Sequence, residues 1–209
     1  KVYVITGEHS HSHPLLRGWT MYCYDVNTGK NLWNFTGLWN SFSIADGYMI
    51  NYDNMDNQIY CFGKGQTTTT VTASPEVSVY GSSILIKGTV LDQSPGAKDT
   101  PAIADQYMTE WMEYKYHQRS KPTNVQGVEV ILDVIDSNGN FRPIGTTTSD
   151  VNGFYSLNWK PDIEGKYTVI ANFEGSESYW PSHAETAFVV EAAPPTPTQQ
   201  PVTASPPTD

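Results

Sequence analysis

Apolar and polar residues alternate in short runs along almost the whole chain, and the runs are cut by residues that reverse the backbone. Lys1–Thr6, Thr20–Asp25, Asn31–Thr36, Ser41–Ala45, Tyr48–Tyr52 and Gln58–Phe62 read this way. So do Val77–Tyr80, Ser83–Leu91, Val128–Ile135, Phe141–Thr147, Phe154–Trp159, Tyr167–Phe173 and Ala184–Val190. A period of two puts one face of each run on a core and the other in solvent, which is the pattern of antiparallel strands. Asp46-Gly47 separates two such runs as a hairpin turn, and Asp136-Ser137-Asn138-Gly139 and Asp150-Val151-Asn152-Gly153 have the same turn composition. Aromatic content of 12%, with 16 Gly and 14 Pro, agrees with many short strands. The expected class is all-β, in more than one sheet.

Charge narrows the function classes. Twelve Lys and Arg stand against 22 Asp and Glu, a formal charge of −10, and no basic run is present, so binding to nucleic acid is not expected. No apolar stretch approaches the ~20 residues of a membrane span, and no signal segment opens the sequence. Membrane attachment is therefore expected only through an anchor outside this sequence. Two cysteines exclude a disulfide framework and a Cys-rich zinc site.

Three parts are expected. Gly63-Lys64-Gly65-Gln66 and Thr67–Thr70 break the apolar alternation, which sets a boundary near residue 66. Residues 193–209 hold ten Pro or Thr and almost no large apolar side chain, so they read as a disordered stalk. Lys1-Val2-Tyr3-Val4-Ile5 reads as the middle of a strand, as expected of a fragment whose natural chain begins upstream.

Within residues 1–66, Tyr22-Cys23-Tyr24 recurs 38 residues later as Tyr60-Cys61-Phe62. A period near ~40 with three or four strands per unit is the sign of propeller blades. In Asp25-Val26-Asn27-Thr28-Gly29-Lys30 the Asp and Asn can bond the backbone and Gly29 tolerates positive φ, before Trp33 enters the next strand. Asp25, Thr28, Gly29 and Trp33, followed by Asp46-Gly47 and Gln58-Ile59-Tyr60-Cys61-Phe62, resemble the quinoprotein-type (PQQ-like) propeller repeat. The resemblance implies the last blades of such a propeller, with Trp33 packed between blades. It does not imply a bound quinone, and no cofactor is expected. Cys23 and Cys61 fall at equivalent positions of neighbouring units and are expected as two buried thiols rather than a disulfide.

Residues 67–192 have seven runs with the spacing of a β-sandwich. Ser74-Pro75 through Gly81, Ile84 to Val90, the Thr148–Tyr155 turn with Asp150 and Gly153, and Gly165–Tyr179 resemble Ig-like and carboxypeptidase-regulatory-like repeats of microbial surface proteins. The combined arrangement is similar to archaeal cell-surface proteins held by a single membrane anchor. Pro101–Gln118 departs from the strand pattern: Met108, Trp111, Met112 and Lys115 form one helical stripe, starting after Thr100 or at Asp105. The expectation is a crossover helix on the sandwich burying Trp111 and Met112. The alternative is an aromatic binding face made by Tyr107, Trp111, Tyr114 and Tyr116.

Few residues suggest chemistry. His9, His11 and His13 have the alternating spacing of zinc or copper ligands on a strand, yet they lie in an expected loop beside Gly7 and Pro14. Asp53, Asn54 and Asp56, and Asp150 with Asn152, offer calcium-type oxygens, but turn stabilisation is the default for both groups. Asn34-Phe35-Thr36 is a glycosylation sequon, usable in an exported chain. No nucleophile elbow, Cys-His pair or phosphate loop is present, so no catalytic residue is assigned. The expected role is non-catalytic recognition or adhesion at the cell surface, with a polysaccharide or protein partner. A structural spacer and an accessory region of a quinone-dependent dehydrogenase are the alternatives.

Overall fold

The computed structural model describes residues 1–9 and 16–195, without the side chains of residues 8, 9, 16 and 17. It is an all-β structure with one short helix. β1 (Val2–His9), β2 (Leu16–Tyr24) and β3 (Asn31–Thr36) form one antiparallel sheet in chain order, and β4 (Trp39–Ala45), β5 (Tyr48–Asp53) and β6 (Gln58–Phe62) form a second. Alternation in β3 and β5 turns Phe35 and Met49 inward, where they meet Met21 and Trp39 as a buried cluster between the sheets. Around it Trp33 stacks on Phe62 with centroids 5.6 Å apart, and Phe35 meets Tyr60 and Phe62 edge-on at 5.9 and 5.8 Å. Such pairs add about 0.5–1.5 kcal/mol each to the area they bury.

The turns show why their residues are needed. Asp25 Oδ1 accepts hydrogen bonds from the backbone N–H of Asn27 and Thr28 and from the Thr28 hydroxyl, while Gly29 closes the turn at φ 71°. Those three donors hold the Asp25 carboxyl below its usual pKa range. Asp46 and Gly47 have φ of 52° and 81°, the two positive values that a tight turn matched to strand twist requires.

The remaining strands build a sandwich: β7 (Thr67–Ser74), β8 (Val77–Val79), β9 (Ile84–Asp92), β10 (Thr100–Pro101), β11 (Glu129–Ile135), β12 (Phe141–Thr148), β13 (Phe154–Trp159), β14 (Gly165–Phe173) and β15 (Ser182–Glu191). In one sheet β9 is flanked by β7 on one edge and by β13 and β10 on the other; the second runs β12-β11-β14-β15-β8, with β8 parallel to β15. Ile84, Ile86 and Val90 face Val130, Leu132, Val134, Tyr167, Val169 and Phe188 across the core. The Tyr167 phenol bonds back to Ile163, accepting from its N–H at 3.1 Å and lying 3.2 Å from its carbonyl.

Two expectations change. The Thr67–Thr70 stretch is not a break but the first half of β7, paired along its length with β9. Thr is β-branched and favours extended backbone, and inward-facing Thr69 satisfies its hydroxyl on Ser182 Oγ at 2.7 Å. Of the two expected helix starts the one at Thr100 is overturned: Thr100 and Pro101 belong to β10, whereas Asp105–Tyr107 form one 3₁₀ turn that leads into α1, Met108–His117. It ends at Gln118, whose left-handed φ of 54° stops the helix.

Candidate functional site

The helix does not lie on the sandwich alone. Its Trp111, only 4% exposed, packs with Ile103 and Val125 on the sandwich side, whereas Met112 packs against the cluster between the two small sheets. Two side chains of α1 then cover the free edge of β3: Thr109 Oγ1 accepts from Asn34 N at 3.3 Å, and Glu113 Oε1 from Thr36 N at 2.9 Å. Among the described residues these donors have no strand partner on that edge, so the helix both satisfies them and covers the edge against further pairing.

At the end of the same helix His117 stacks on Phe35, centroids 4.3 Å apart and planes 10° from parallel. Its Nε2 points at Asp53, the last residue of β5. Asp53 Oδ1 is fully used, accepting from Leu38 N and Met55 N at 2.8 Å each. Its Oδ2 is buried and finds no hydrogen-bond partner among the described residues, as is also true of His117 Nε2, 3.6 Å away. The Asp53 side chain is completely buried and that of His117 is 11% exposed. Glu113 Oε2 lies 3.7 Å from His117 Nδ1 and 3.6 Å from Arg119 Nε. In the β5–β6 turn, Asp56 receives the Tyr60 hydroxyl at 2.5 Å; burial first, then this carboxylate, push the Tyr60 phenol above its usual range. One ligand atom from each of Asp53, Asp56 and His117 lies within 4.8 Å of the others.

A second attachment lies in the connection between β6 and β7. Gly65 forms a parallel bridge to Tyr179, donating to Ser178 O and accepting from Trp180 N at 2.8 Å each. Lys64 Nζ sits 5.4 Å from the Trp180 ring centre. The loop holding Ser178 is fixed in turn by Asp105, which accepts from Ser176 Oγ and from the N–H groups of Glu177 and Ser178.

The residues singled out by sequence are placed unevenly. Asp25, Thr28, Gly29, Asp46 and Gly47 build turns of the small sheets, and Trp33 packs between them. Asp150 and Gly153 make the β12–β13 turn, where Asp150 Oδ1 accepts from Asn152 N and Phe154 N. His11, His13 and the His9 side chain lie outside the described residues, as do residues 196–209 of the expected stalk. The aromatic face is a correction: Trp111 is buried and Tyr107 and Tyr114 are half-buried around it, so these three make a packing cluster, with Tyr116 alone exposed. Asn34 lies half-buried in β3, the strand expected from sequence, with its N–H bonded to Thr109 of α1. Both cysteines are free, but Cys61 is exposed instead of buried because it falls on the outer face of β6. His117, Glu113 and Thr109 were missed; Glu113 and His117 share an i,i+4 helical face, but their partners are strand residues distant in sequence.

No protein-family model and no curated protein matches the chain. Among solved structures, one described as a tetra-tandem repeat in the extending region of a large adhesion protein is similar over 82% of this chain, at 16% identity and a TM-score of 0.37. The chain spans 37% of that structure's length.

Proposed function

We propose that this chain is a non-catalytic segment of an extracellular surface protein, holding recognition or adhesion surfaces for a polysaccharide or protein partner. The observation that carries this reading is the joint made by α1, which is anchored in the sandwich by Trp111 and in the small sheets by Met112, Thr109 and Glu113. A fixed joint keeps loops at both ends in constant relation, as a display scaffold requires.

In this reading the small sheets are neighbouring quinoprotein-type propeller blades. Their outer faces support it: Val2 and Val4 lie beside Tyr22 and Tyr24 on one, and Ile50, Ile59 and Cys61 share the other, with Ile59 73% exposed. Apolar surface on both outsides of a two-sheet stack suits blades that continue in both directions. The Tyr167 bond back to Ile163 supports an Ig-like sandwich, where a tyrosine at a strand start fixes the preceding corner. Attachment would come through an anchor beyond Asp209; among the described residues no helix is long and apolar enough to cross a membrane.

Probing immobilised protein with arrays of surface polysaccharides and with extracellular proteins tests the role. Saturable binding abolished by loop substitutions is the expected result, and its absence from every array would leave a structural spacer instead. Residues 1–66 expressed alone are expected to aggregate, because they lose α1 over the β3 edge and keep two apolar faces. A cooperative, monomeric thermal melt of that piece would contradict the blade reading.

A further inference from the structure

We propose that Asp53, Asp56 and His117 form a binding site for a zinc-class divalent cation that ties the second small sheet to α1. The geometry fits a cation held between two facing ligand atoms. Asp53 Oδ2 and His117 Nε2 face each other, buried and without other partners among the described residues, at 3.6 Å. That is too long for a hydrogen bond but close to the about 3.3 Å between adjacent ligands of a tetrahedral zinc with bonds of ~2.0–2.1 Å. An unpaired buried carboxylate oxygen is costly, and a cation between the two atoms would satisfy both at once.

The surroundings fit the same ligand. Asp53 is pre-positioned, since two backbone donors fix its other oxygen and leave Oδ2 one direction. The His117 ring is oriented by its stack on Phe35, and Glu113 stands on the Nδ1 side, where a second carboxylate orients metal-binding imidazoles. Asp56 completes the set from the β5–β6 turn, where its Oδ1 accepts from Gln58 N and its Oδ2 from the Tyr60 hydroxyl, and water would supply a fourth ligand. Three carboxylates, Asp53, Asp56 and Glu113, surround the imidazole, with Arg119 the cation paired to Glu113. One nitrogen and two carboxylates suit zinc, cobalt or manganese better than calcium, which takes six to eight oxygens.

The test is calorimetric and thermal titration of the full chain with zinc chloride, with His9, His11 and His13 changed to alanine so that those histidines cannot contribute. One equivalent of zinc is expected to bind, and the melting transition to rise by about 5–10 °C at one hundred times the dissociation constant. Calcium at the same concentration is expected to do neither. Asp53→Asn keeps the acceptor for Leu38 N and Met55 N, and His117→Phe keeps the stack on Phe35, so both variants are expected to fold. Each should weaken zinc binding by more than about 100-fold, since even outer-shell partners are worth 10–100-fold. The proposal fails if the histidine-substituted background binds no zinc, if calcium binds in its place, or if either variant binds zinc as the background does. These readouts are independent of any polysaccharide or protein ligand.

Discussion

Phe35→Ala is expected to lower stability by about 3–5 kcal/mol, the range for deleting a fully buried phenylalanine, and to lower the melting temperature of the transition containing the small sheets by about 6–20 °C. Phe35 has no accessible surface and touches four rings: Trp39 at 5.5 Å, Tyr60 at 5.9 Å, Phe62 at 5.8 Å and His117 at 4.3 Å. Its removal opens a cavity that neither sheet can fill, because each is held by its own strand ladder. It also takes away the surface on which α1 ends, so the loss reaches the joint as well as the sheet core. The sandwich has a separate core, and its own packing should survive. Denaturant melts with paired probes, tryptophan fluorescence and far-ultraviolet dichroism, check this. A loss below about 1 kcal/mol would mean that the cluster does not hold the two sheets together.

The same cluster shows how far a sequence can be read. Asn31–Thr36, Gln58–Phe62 and Phe154–Trp159 have the same limits as sequence expectations and as strands, because a period of two with turn residues on both sides leaves little freedom. β7 was hidden because threonine reads as polar, although it prefers extended backbone and here finds hydroxyl partners on β15. The direction of α1 was half legible. The stripe of Met108, Trp111 and Met112 shows that a face is buried, but no local pattern tells that Trp111 turns to Ile103 while Met112 turns to Phe35's cluster. The meeting of Asp53 with His117 is illegible for the same reason. Each residue alone has an ordinary local explanation, a turn aspartate and a histidine near a helix end, and only the tertiary path of the chain brings their unpaired atoms together.

Gly88→Ala is expected to be as damaging as the loss of Phe35, at about 3 kcal/mol or more, although it adds a single methyl group. A Cβ at residue 88 would lie 1.8 Å from Thr70 O and 2.6 Å from the Tyr155 hydroxyl. The close approach has a cause in the pairing: Gly88 lies between Val71 of β7 and Tyr155 of β13, and the Tyr155 hydroxyl reaches across it to donate to Thr70 O at 2.5 Å. Tyrosine thus covers the glycine and ties its strand's two neighbours together, a use of glycine inside a strand that its low β propensity otherwise discourages. Burial pushes the Tyr155 phenol above its usual range, so it remains a donor through neutral pH. Because the closest atom is backbone, truncating Tyr155 should not rescue the alanine variant; β7 itself must move, and with it the sheet edge. Gly81→Ala is the matched control, with positive φ of 96° but nothing within 4 Å of its Cβ, so backbone strain alone costs about 1–2 kcal/mol. Urea melts of the two variants should therefore rank Gly88→Ala well below Gly81→Ala in stability, and equal losses would show that close approach at Gly88 is not what selects glycine there.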